Sequence, residues 1–520
     1  SGCGKGGEET KKPPVSVAPL PMAPSGRPLG WAEPPGVAPV GPPPVVVVPV
    51  PPAKPPAVVP EKPPVAKVPL APPKPAPTVE IARKAVAAIR AAGLNPSQEV
   101  TTKSTSRAKL STKATEAVRK AGLDEPLVRA SLKAHPETLA ETPEQIAAAI
   151  RRMEAQKGLY EGRVKAGWLE NLPKDPGEGF GADTKGGDEG EEIAISEPSG
   201  AAVQAAFAKA AASGNCRIAF RCSGDIDIDQ PLPILQKPNV TVDGLGMATL
   251  WGSAIPSNRA VVSVSTNDVI IRNLRIRHGG DNISLGGQFY DGASRVLVSH
   301  VSTTASRDDG VSAGWGARDV TLQWSFFGGC TRSIFIKYKG STNITIHHNL
   351  IEKQMMRGPL VSGKALVDFR NNIVRNWISW ASRFEDGGSG NAVANLHVLS
   401  AYARKKCMKP DSTIYRYQGP EAKNPLGTVY AEGNVSRNCG KATASGADKP
   451  HDVPKVATQT VDEMEKTVME RAGCLPRDEI DRKTIEADEF TVSVTRPFLV
   501  GRAAAAAPAA APPKEGDEDE

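Results

Sequence analysis

Three carboxylates and a short run of basic side chains carry the chemistry this sequence could perform. Asp281 stands in H-G-G-D-N-I-S-L, and Asp308 and Asp309 stand in S-R-D-D-G-V-S, the first of them 27 residues further on. Carboxylates gathered in one place offer hard oxygen donors to a metal ion; an Asp pair before Gly also serves simply to make a turn. Arg332 follows in C-T-R-S-I-F-I, then Lys337 and Lys339, then Arg357 in M-R-G-P-L-V-S-G. An arginine before Gly-Pro is, on its own, an ordinary surface turn. His347 and His348 stand side by side, as a metal-binding or acid–base pair would. Cys216, Cys222, Cys330, Cys407, Cys439 and Cys474 fall in the second half without the paired spacing of a zinc site. Disulfides between Cys216 and Cys222 or between Cys407 and Cys439 compete with buried free thiols as their reading.

The elements that must position these residues are legible as a repeat. A β-prone phrase returns from Asn239 to Asn372: N-V-T-V, V-I-I-R-N, V-L-V-S-H, V-T-L-Q-W, N-I-T-I-H-H-N and A-L-V-D-F-R-N-N. With Val242, Ile271, Val298, Leu322, Ile346 and Phe369 taken as equivalent, the steps are 29, 27, 24, 24 and 23 residues. Apolar and polar residues alternate within each phrase, giving strands with one face in and one out. One strand plus turns cannot bury an apolar face alone, so the copies must stack. The pattern predicts an all-β, right-handed parallel β-helix, with Asp281 and Asp308–Asp309 about one coil apart. Asn349 and Asn372, 23 residues apart, are placed to stack inside it.

The 520-residue chain divides by composition. Residues 1–79 hold Cys3 and a Pro/Val/Ala/Lys stretch that reads as a disordered, semi-rigid polyproline spacer. Residues 80–165 show helical spacing, with segments near 80–92, 111–121 and 124–134. The clearest helix starts with Thr142 as N-cap, Pro143 at the first helical position and Gln145 completing a capping box. Ile146, Ile150 and Met153 share one face of it, and Gly158 is placed to end it. Residues 166–192, Gly/Asp/Glu-rich from 174, read as a flexible acidic linker; 193–500 form the β-helix; 501–520 form a disordered Ala/Pro/acidic tail. Net charge is +7 and the pI about 8.9, compatible with an acidic partner and far from a nucleic-acid signature. No apolar run is long enough to span a bilayer.

The repeat region resembles the pectate lyase family (polysaccharide lyase family one), especially its secreted bacterial branch, over most of 193–490. The likeness rests on a capping helix A-V-Q-A-A-F-A-K-A-A-A-S-G, then C-R-I-A-F-R-C-S-G-D-I, V-I-I-R-N-L-R-I-R, D-V-T-L-Q-W-S, I-H-H-N-L-I-E, R-G-P, V-D-F-R-N-N-I-V-R-N-W and the closing A-G-C-L-P-R-D-E-I-D-R. The resemblance implies calcium-assisted β-elimination on a polygalacturonate-type polyuronate by a secreted monomer. Arg357 is then the base, Arg332 the cation on the substrate carboxylate, and Lys337 and Lys339 binders of further uronates. Asp281, Asp308 and Asp309 become the Ca2+ ligands. His347 and His348 become coil residues that pack. S-G-C-G before the Pro-rich stretch resembles the end of a lipoprotein signal, with Cys3 lipidated and the protein held at the cell surface or outer membrane. The sequence departs from the family at Ser312 or Ala313, where a second carboxylate is usual, at Ser362, where a second arginine is usual, and at Ser299. The alternative reading is therefore a non-catalytic β-helix that binds or displays on polysaccharide, its lyase site eroded.

Overall fold

The computed structural model describes residues 79–487, apart from 103–107, 135, 288–289, 291, 339, 421 and 442–445. Cys3, the Pro-rich stretch to residue 78 and the acidic tail lie outside the described residues.

From Glu191 to Arg437 the chain winds through three parallel sheets of ten, nine and seven strands, visiting one strand of each per coil. This is the parallel β-helix that the repeat predicts. Val242 pairs with Ile271, Ile271 with Val298, Val298 with Leu322, Leu322 with Ile346 and Ile346 with Phe369. All six are fully buried in one core cluster. The helix Gly200–Ser213 packs Val203, Phe207 and Ala210 into the first coils, covering apolar residues that would otherwise end in water.

Each passage from the ten-stranded to the nine-stranded sheet is a two-residue turn whose first residue is left-handed: Asn273, His300, Trp324, His348, Asn371, Ala394 and Gly433. Its second residue is Asn in the last four coils. The Asn349 side-chain amide donates to Asn372 Oδ1 at 3.0 Å, Asn372 to Asn395 Oδ1 at 3.0 Å, and Asn395 to Asn434 Oδ1 at 2.9 Å. The same oxygens accept the backbone N–H of the preceding rung, and each amide also reaches a carbonyl of an earlier coil. The ladder thus satisfies backbone groups that the turn leaves unpaired inside the core.

Residues 172–190 are ordered, not a flexible linker. They run as a strap along the outer face of the ten-stranded sheet. Phe180 N–H donates to Thr345 Oγ1 at 3.0 Å, Gly181 N–H to Thr321 Oγ1 at 2.9 Å and Gly187 N–H to Thr241 Oγ1 at 2.9 Å. The glycines permit this: a Cβ on Gly187 would lie 2.1 Å from the Cys216 carbonyl oxygen. Upstream, helices Val79–Ala91, Thr112–Lys120, Glu125–Ala134 and Pro143–Lys165 share an apolar core of their own. The last continues through Gly158 to Lys165, because the glycine keeps helical backbone geometry and nothing there competes with the next turn. Gln145 and Met153 side chains lie outside the described residues. Downstream, helices Val461–Arg471 and Glu479–Glu486 cover the nine-stranded sheet through Val461, Met464, Val468 and Ile485. Asp478 and Asp481 of the closing segment grip the buried Arg277, each at 2.8 Å.

The ladder yields a stability test. Asn372→Leu leaves the Asn349 N–H and the Ile346 carbonyl buried without their partners, which should cost about 2–5 kcal/mol at 1–3 kcal/mol per orphaned group. Urea unfolding would measure it; a cost below that of an exposed Asn→Leu change elsewhere would show that the ladder is dispensable.

Candidate active site

The first residues of successive strands in the seven-stranded sheet form a column. Ile283 pairs with Val311 and Asp309 with Arg332, so Asp281, Asp309 and Arg332 sit one above another at coil spacing. Asp308 precedes Asp309, and its N–H is held by the Gly280 carbonyl at 2.8 Å. Arg332 bridges to Met356 of the next coil, which brings Arg357 alongside. Residues 76 positions apart in sequence, Asp281 to Arg357, thereby meet on one edge of one sheet.

The carboxylates of Asp281, Asp308 and Asp309 offer oxygens that all lie within 4.8 Å of one another. Asp281 Oδ1 accepts the Asp309 N–H at 3.0 Å. Arg357 reaches back across two coils, and its Nη1 lies 3.0 Å from both oxygens of Asp309. Its guanidinium rides on the intervening coil, 4.3 Å from the centre of the Phe335 ring, a cation–π contact that fixes its path. Arg332 pairs with Asp308. Two cations therefore face three carboxylates. Burial, then the charge of Asp309, pushes Asp281 well above the usual carboxylate range; burial pushes Asp309 up less far, because Arg357 opposes it. This surplus of negative charge on hard oxygens fits a divalent cation such as Ca2+.

The other expected residues are placed differently. Lys337 follows the strand Arg332–Ile336, and five residues at about 3.3 Å each put it at the far edge of the sheet from Arg332. There it lies 3.8 Å from Glu385 and over the Tyr338 ring, so it is not beside the column. Lys339 lies outside the described residues. Ser312 and Ser362 occupy their strand positions as buried hydroxyls and add no charge. His347 and His348 pack, as expected: His347 bonds Gln323 Oε1 at 3.1 Å, and His348 stacks on Trp324 at 4.3 Å. Burial lowers the pKa of both. The six described cysteines are free thiols.

Two features of the site have weak sequence signals. Phe335, the rail for Arg357, looks like any apolar strand residue. Arg383, in register with Leu360, pairs with Glu385 at 2.6 Å and lies between Trp380 and Tyr417; its only signal is its place 26 residues after Arg357.

No family model matches the chain. It is similar to a probable pectate lyase C of Emericella nidulans, 26% identical over 326 residues, covering 59% of this chain and 74% of that protein. A probable pectate lyase C of Aspergillus terreus is 27% identical over 226 residues, covering 42% of this chain and about half (51%) of that protein. Among solved structures, a pectate lyase of Bacillus sp. N165 in complex with trigalacturonate aligns with a TM-score of 0.42 at 16% identity, over 57% of this chain and 98% of that one. The major allergen of cedar pollen aligns with a TM-score of 0.46 at 15% identity, over 57% and 92%.

The crowded carboxylates set a pH dependence. Asp281 keeps its proton to higher pH in the folded state than in the unfolded chain, so the folded state binds more protons. Stability of the metal-free protein should therefore fall as pH rises from 3.8 through about 8. Asp281→Asn should remove that slope and stabilise the metal-free protein at pH 8 by about 1–2 kcal/mol. Denaturant unfolding with chelator at pH 5 and pH 8 checks it; an Asn variant weaker than wild type at both pH values contradicts it.

Proposed function

We propose that this chain, a member of the pectate lyase family, cleaves a polygalacturonate-type acidic polysaccharide by calcium-assisted β-elimination. The observation that carries the proposal is the convergence of Arg357 and Arg332 with Asp281, Asp308 and Asp309 on one sheet edge.

In β-elimination a base takes the proton at C5 of a uronate, the electron pair forms the C4–C5 double bond, and the C4–O bond to the neighbouring sugar breaks. The C5 proton is weakly acidic because the adjacent carboxylate opposes a second negative charge. Asp281, Asp308 and Asp309 would hold Ca2+, which, when bound, draws charge off that carboxylate and makes the proton easier to remove. Three carboxylates leave room for further oxygens, since Ca2+ takes roughly six to eight. Arg332, at the next position of the column and about a third exposed (36%), supplies a second positive charge for the substrate carboxylate. Arg357 takes the proton. A guanidinium gives up its own proton reluctantly, so this role demands positive surroundings. Phe335 holds its side chain in line while leaving it 17% exposed. Export, with Cys3 as a lipid attachment point, belongs to the same reading and rests on S-G-C-G and the Pro-rich stretch after it.

The test is ultraviolet absorbance of unsaturated uronate with polygalacturonate and calcium. Arg357→Lys should lower turnover by roughly a hundredfold or more with unfolding unchanged. Asp309→Asn should raise the calcium requirement, with activity partly recovered at higher calcium. Near-normal turnover in Arg357→Lys would displace the base from Arg357. An inactive wild type on every polyuronate tested would favour the binding protein, a reading supported by the two hydroxyls at 312 and 362 where the family carries charge.

A further inference from the structure

Two of the three carboxylates suited to a cation are already engaged by cations of the chain itself. A single nitrogen of Arg357 stands 3.0 Å from both oxygens of Asp309, and Arg332 pairs with Asp308. Asp309 is almost fully buried, with 5% of its side chain accessible, so its oxygens have little room to turn toward a second cation while keeping the first. A metal ion that draws on Asp309 sits at roughly 2.3–2.6 Å from its oxygen, on the same oxygens the guanidinium uses. The two positive charges would then repel across one shared carboxylate in a poorly solvated site.

We propose that the metal ion and Arg357 compete for Asp309, so that metal binding releases the guanidinium and swings it out toward solvent. Phe335 sets the direction of that release: the guanidinium lies on its ring face, 4.3 Å from the centre, and slides along it when the carboxylate is withdrawn. Arg332 responds in the same way at Asp308, on a side chain already more open. The arrangement is an interlock. Without metal, Arg357 is tied up as a counter-ion and its protonated form is stabilised by Asp309, the opposite of what a base needs. With metal, the guanidinium is free and its surroundings are more positive. This deepens the proposed function and rests on the metal reading of the site, but it concerns the state of an arginine and is read without turnover.

The experiment is phenylglyoxal labelling of the full-length chain, with peptide mass spectrometry following Arg357. Arg318, 57% exposed and 4.0 Å from its nearest carboxylate, serves as an internal reference. Saturating CaCl2 should speed labelling of Arg357 by roughly tenfold, the middle of the usual range for coupled sites, and leave Arg318 unchanged. Asp309→Asn removes the counter-charge, so in that variant Arg357 should label fast without calcium and gain nothing from it. Calorimetry with CaCl2 alone runs in parallel. No heat of binding overturns the metal reading and the interlock together. Calcium binding with unchanged or slower labelling of Arg357 overturns the interlock alone and leaves the lyase reading standing.

Discussion

Everything on this protein depends on the register of one inward column. Val242, Ile271, Val298, Leu322, Ile346 and Phe369 pair in sequence, and parallel strands stack about 4.8 Å apart. A one-residue slip would turn every apolar side chain of a coil outward. Since the strands cannot slip, differences in coil length are absorbed in turns, and the longer early steps of 29 and 27 residues place their extra residues outside the strands. The outward positions inherit the same spacing without further cost. Asp281, Asp309 and Arg332 stand in line because Ile283, Val311 and Ile334 do.

That inheritance also explains how the site tolerates its own charge. Three carboxylates within a few ångströms are unfavourable, and a flexible loop would move them apart. Here each is anchored by ladder hydrogen bonds on both sides, so the repulsion appears instead as raised proton affinity at Asp281 and Asp309. The arginines offset part of it from coils further along the stack. Stability and function pull in opposite directions at these positions, and the solenoid supplies the difference from a core far from the site.

The repeat was readable because it is periodic and apolar: six phrases with alternating burial admit little besides stacked strands. The column of acids and arginines was readable for the same reason, since spacings near one coil convert directly into neighbours. What escaped were properties that depend on where in a coil a residue falls. Lys337 follows Arg332 by five positions, which along a strand is a long distance, so sequence proximity placed it beside a site it does not approach. Phe335 carried no mark of its role because an apolar residue on the outer face looks like one on the inner. The strap failed for a different reason. Gly, Asp and Glu suggest solvation, yet here the glycines serve close approach and the threonines that receive them lie more than fifty residues away.

The strap also helps explain why the outer face of the seven-stranded sheet is the one that carries chemistry. A three-sheet solenoid has three outer faces. On the ten-stranded sheet, Thr241, Thr321 and Thr345 spend their hydroxyls on the strap, and further along Asn391 bonds the backbone at His451. On the nine-stranded sheet, Phe326, Leu350, Ile373 and Leu396 lie beneath the two C-terminal helices, and Arg277 and Arg275 are committed to Asp478, Cys474 and Pro476. Both faces are closed by the chain's own segments, with polar groups satisfied internally. The seven-stranded sheet instead presents Ser284, Ser312, Phe335, Leu360 and Arg383 in register, with the acid–arginine column at one edge. An extended polymer needs a long, straight face with charge at a fixed place along it. This sheet supplies both, and the other two are given over to holding the coil together.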